Sequence, residues 1–120
     1  MNKEVLSERL LGLRPAILAD LITHLPLSVK AYPINLEQTA VAIYDAFAHY
    51  LVEGDEEDYQ QTRQQAMAVV YNAGIKSQVV MDSIARCVVI LSQALPEAND
   101  LINQRMILAD HLMIEESRSY

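Results

Sequence analysis

Apolar residues recur along this chain at intervals of three and four, with no stretch of strict alternation. The pattern predicts helices and no strands. The first predicted helix runs from Lys3 to Leu13, closed by Gly12 and Pro15. The second opens at Pro15, which suits a first helical position, carries Ile17, Leu18, Leu21, Ile22 and Leu25, and stops before Pro26. Residues 26 to 34, with Pro26 and Pro33, read as a connector. Asn35 and Gln38 form a capping-box arrangement for the third helix, whose stripe is Leu36, Ala40, Ile43, Phe47 and Leu51 and whose stop is Gly54. Asp55 begins the fourth, with Glu56, Glu57 and Asp58 in the first turn, where the helix dipole favours negative charge. Tyr59, Ala66, Val70 and Ala73 form its stripe, and Gly74 ends it.

Ser77 is the expected cap of the fifth helix. Val79, Val80, Ile84, Cys87, Val88, Leu91 and Leu95 make it apolar on most sides, which predicts a central, buried helix. Pro96 opens the last, with Leu101, Ile102, Met106, Ala109, Leu112 and Met113. The expected organisation is one all-α domain over residues 1–120, a bundle of five to six helices. Within it, 1–34 hold the N-terminal helices and connector, 35–114 the core, and 115–120 a frayed polar tail.

Composition sharpens this picture. The chain is 52% hydrophobic, enough for a core without covalent staples. A net charge of −7 removes the basic footprint of a nucleic-acid binder and disfavours anionic membrane surfaces. Asp82, Ser83 and Arg86 interrupt the most apolar stretch, so no membrane insertion is expected. The single cysteine and the polar start carry no sign of an oxidising compartment or a secretory leader, and the cytoplasm is the expected location.

No catalytic constellation emerges, no metal site is assigned and no cofactor is expected. Asp45, His49 and Glu53 lie four apart and share a helix face, which suits a carboxylate–imidazole metal site or, more simply, a solvated row of ion pairs. His24 and His111 are structural or exposed histidines unless the fold ligates haem. Cys87, among apolar neighbours, reads as an inert thiol. The acidic run after Gly54 lacks the alternating oxygen ligands of a calcium loop. Most of the six tyrosines are expected at core edges with their hydroxyls in water.

The segments Tyr50-Leu51-Val52-Glu53-Gly54-Asp55 and Val70-Tyr71-Asn72-Ala73-Gly74-Ile75, followed by the apolar helix from Ser77, carry a resemblance over about half the chain. From Leu36 to Leu95 the chain resembles the globin-like core of the phycobiliproteins. Leu36, Gln38 and Thr39 stand where a bilin-bearing member has its attachment cysteine and the following Arg-Asp pair. The resemblance therefore implies a colourless, globin-like relative that acts by protein–protein interaction as a phycobilisome-related accessory or regulatory protein. The chain is also similar to the non-haem globin sensor domains of stress-signalling proteins, which implies a stand-alone signalling domain instead. A carrier holding haem or bilin non-covalently is the alternative from another class. Both families associate, and a homodimer is expected, with Leu101, Ile102, Met106, Ala109 and Met113 as candidate interface residues.

Overall fold

The structure, a computed structural model, describes residues 1–32 and 34–119. Among them are six α-helices, a single 3-10 turn and no strand. The helices are α1 (Lys3–His24), α2 (Leu27–Lys30), α3 (Leu36–Glu53), α4 (Glu56–Asn72), α5 (Ser77–Ala94) and α6 (Asn99–Ser119), with the 3-10 turn at Pro96–Ala98. The all-α expectation holds.

The predicted ends at Asn35, Gly54 and Asp55 are formed. Asn35 Oδ1 accepts from the Gln38 amide at 3.0 Å and starts α3. Gly54, at φ 71°, ends it. Asp55 Oδ1 accepts from the Asp58 amide at 3.1 Å and starts α4.

Several boundaries differ from expectation. One helix, not two, covers Lys3–His24, with Pro15 inside it. The apolar stripe Leu6, Leu10, Leu13, Ile17 and Leu21 runs across Pro15 without a phase break. Gly12 and Pro15 lie on the exposed side, where solvent can satisfy the Leu11 carbonyl that lacks its N–H partner. The connector contains the single turn α2, which buries Val29. Pro33 lies outside the described residues. Lys76, not Ser77, occupies the N-cap of α5 and makes no side-chain cap. The tail is helical to Ser119, because Glu116 is tied into the protein interior.

The helices bury two separate cores. The larger joins Leu6, Leu10 and Ile17 of α1 to Phe47, Tyr50 and Leu51 of α3, and to Leu91, Leu95 and Ile102 from the α5–α6 hairpin. The smaller gathers Val29, Met67, Val70, Ile75, Val80 and Met113. α5 is not central. It packs mainly against α1, α6 and the 3-10 turn and buries only Val80 and Leu91 fully. Ile84 and Val88 are half-buried, and Met81 and Val89 are 40% and 54% exposed. No single helix among the described residues is long and apolar enough to cross a membrane.

Candidate functional site

The seam between the two cores is open. α3 and α4 pair closely and α5 leans on α1 and α6, so a crevice of about 110 Å³ remains between α5 and the α3–α4 pair. Its walls take Tyr44, Phe47 and Tyr59 from the larger core and Val29, Val70, Ile75 and Val80 from the smaller. Leu21 and Ile22 from the end of α1, and Leu25 just after it, complete it together with Ile84, Cys87 and Val88 of α5.

Few polar groups border this space, and three of its hydroxyls donate to backbone carbonyls. Thr39 Oγ1 donates to the Asn35 carbonyl at 2.8 Å, and Ser83 Oγ to the Val79 carbonyl at 2.9 Å. The Tyr44 hydroxyl donates to the Leu10 carbonyl at 2.5 Å. Burial, with a smaller contribution from the Asp20 charge, pushes the Cys87 thiol up to about 12. Cys87 is therefore a protonated thiol at neutral pH, in keeping with the inert role expected of it.

Arg63 is the residue that sequence reasoning missed. Its side chain is 3% exposed. Nε and Nη2 donate to the two carboxylate oxygens of Glu116 at 3.0 and 3.1 Å, and Nη1 donates to the Tyr59 hydroxyl at 3.4 Å. Burial opposes its charge, but Tyr59 and Glu116 outweigh that and hold its pKa above the ordinary value. A signal was present: Arg63 falls in step with Tyr59, Ala66 and Val70 on the apolar stripe of α4. A charge at a core-facing position requires a buried partner.

The predicted candidates are dispersed. Asp45 accepts from Arg14 Nη1 at 2.9 and 2.8 Å, Glu53 from Lys3 Nζ at 3.4 Å, and His49 Nε2 lies 3.5 Å from Asp58. The shared face is thus a row of ion pairs to neighbouring elements. Among the described residues no three His, Cys, Asp or Glu side chains come together as a metal site. His24 bonds the Asp20 carbonyl through Nδ1 at 2.8 Å, while Arg86 grips the Asp20 carboxylate at 2.9 and 3.1 Å and holds its pKa below the ordinary value. His111 pairs with Glu115 on the surface. No histidine borders the crevice.

Tyr44, Tyr50, Tyr59 and Tyr71 are buried instead of lying at core edges, with Tyr50 and Tyr59 stacked 4.5 Å apart. Tyr120 lies outside the described residues.

The expected interface residues differ in exposure within the single chain. Ile102, Ala109 and Met113 are 0%, 1% and 5% exposed and face the chain's own cores, while Leu101 and Met106 are half-buried. The exposed apolar residues of α6 are Ile107, at 72%, and Ile114, at 48%. Comparison with family models, curated proteins and solved structures returns no match to the chain.

Proposed function

We propose that the chain is a non-catalytic, globin-like helical module that acts by protein–protein contact, and that its first partner is a second copy of itself. The observation that carries this reading is the position of α5. It is among the most apolar helices of the chain, yet one side is left uncovered, with Met81 and Val89 exposed. The neighbouring α6 adds Ile107 and Ile114, seven residues apart and so on one face. Exposed apolar surface on adjacent helices is the usual mark of a partner site, and a two-fold pair is the commonest way to cover it. The proposed interface is therefore this outward face and not the inward row of Ile102, Ala109 and Met113.

The biological setting we propose is the one the resemblance implies, an accessory or regulatory protein of the antenna type. A stand-alone signalling domain is the second reading. The open seam favours it, because a ligand lodged there would bear on both cores. A haem or bilin carrier is the third reading: sites for drug-sized ligands run to about 300–1,000 Å³, above both the roughly 110 Å³ of the crevice and the roughly 280 Å³ hollow between α1 and α3 that His49 borders.

Light scattering across the micromolar range tests the association. The expected mass is twice 13.5 kDa, and it should fall to the monomer value when Val89 and Ile107 are both changed to Asp. A parent protein that stays at 13.5 kDa throughout would refute the reading.

A further inference from the structure

The hydrogen bonding around the crevice decides what it can hold. Thr39 and Ser83 return their hydroxyl protons to carbonyls of their own helices, and Tyr44 gives its proton to Leu10. Arg63 is neutralised by Glu116, and Cys87 keeps its proton. A charged or strongly hydrogen-bonding guest would leave water for a mostly apolar lining whose Thr39, Ser83 and Tyr44 protons are already given to carbonyls, which is unfavourable. An apolar guest breaks no hydrogen bond with water on entry and gains contacts with the apolar walls.

Volume sets the size. An apolar cavity of about 150 Å³ stays dry and takes benzene or xenon. The crevice, at about 110 Å³, is of the same order. We propose that the crevice between α5 and the α3–α4 pair is a binding site for a small, uncharged, apolar molecule of about six carbon atoms or fewer. Such a guest touches Phe47 on one side and Val80 and Ile84 on the other, and so links the two cores across the seam. Leu25, Val29 and Ile34, from the segment joining α1 to α3, form the remaining wall. The site stands apart from the proposed dimer surface, since Val89 and Ile107 do not border the crevice.

The test is a methyl-resolved NMR titration of the whole chain with benzene, with hexanoate as a charged comparison. Benzene should shift the methyl resonances of Ile43, Val80 and Ile84 saturably at millimolar concentration and raise the melting midpoint. Hexanoate should bind at least ten-fold more weakly. Ala40→Leu, at a crevice wall, should abolish the benzene shifts while circular dichroism stays helical. If that variant loses helix, Ser83→Leu is read in its place. The proposal is overturned by any of three results: no saturable benzene shift in the parent, an unchanged shift in a folded filled variant, or hexanoate binding as tight as benzene. Light scattering on the same samples keeps a failure here separate from a failure of the dimer reading.

Discussion

Changing Glu116 to Gln preserves the shape of the side chain and removes the charge against which Arg63 is buried. The Arg63 side chain is 3% exposed, and Glu116 supplies two hydrogen bonds at 3.0 and 3.1 Å. Its other neighbour, the Tyr59 hydroxyl at 3.4 Å, cannot neutralise it. Breaking a fully buried pair costs about 3–5 kcal/mol, most of it from the charge left behind. Glu116 is 19% exposed and stands near the end of α6, so local loosening of that turn can admit water to Arg63. The expected loss is therefore lower, about 2–4 kcal/mol, read as a fall in the urea midpoint at constant slope. The double variant Arg63→Met with Glu116→Leu removes both charges and refills the volume, and it should recover most of the loss or exceed the parent. A change below about 0.5 kcal/mol for Glu116→Gln would refute the reasoning, since that is the scale of an exposed pair.

Two further outcomes follow from local geometry. Gly54→Ala should cost about 1–2 kcal/mol from the left-handed backbone alone, because φ is 71° and the new Cβ would stand 2.6 Å from Arg105 Nη2; denaturant midpoints check it, and a neutral result would mean that the corner re-forms without that backbone. Cys87 should react with iodoacetamide at pH 8 about a thousand-fold more slowly than in the urea-unfolded chain, since folding moves its pKa from 9.0 to about 12. The sign for stability is set by the same shift. The folded thiol holds its proton where the unfolded one has lost it, so its contribution is complete below about pH 9 and is lost between there and about pH 12. The parent should lose more stability than Cys87→Ala across that window.

Local chemistry was legible in the sequence and long-range partnership was not. Asn35, Gly54 and Asp55 act on residues three or four positions away, so their roles can be read from a short window. Pro15 misled because a breaker was weighed above the stripe from Leu6 to Leu21, which keeps its phase straight through it. The position of α5 misled for a different reason. An apolar pattern reports how much surface a helix wants covered, not how much the rest of the chain can cover, and here α1 and α6 reach only part of it. Arg63 shows the same limit most sharply. Its place on the stripe of α4 was visible, but Glu116 lies 53 residues away and nothing between them announces the pair. The crevice, which exists because α5 stands away from α3 and α4, is a property of the packing alone.

The Gly54-Asp55 corner also bears on how much function a resemblance can carry. Three residues of the Tyr50-to-Asp55 motif have structural tasks in this chain. Tyr50 stacks on Tyr59 and lies under the Arg105 guanidinium, 5.2 Å from the ring centre. Gly54 turns left-handed to end α3 and, lacking a Cβ, leaves room for the same arginine. Asp55 caps α4. Any tight corner between two helices that is crossed by an arginine from a third would favour these residue types, whether the protein holds a pigment, receives a signal or does neither. The motif is therefore informative about a helical corner and indifferent to the use made of it, so a likeness carried by these few positions implies no one function. What separates the uses lies elsewhere in the molecule, in the exposed apolar side chains of α5 and α6 and in a seam lined mostly by apolar groups. A module that assembles by contact needs exposed apolar surface, and Met81, Val89, Ile107 and Ile114 supply it here.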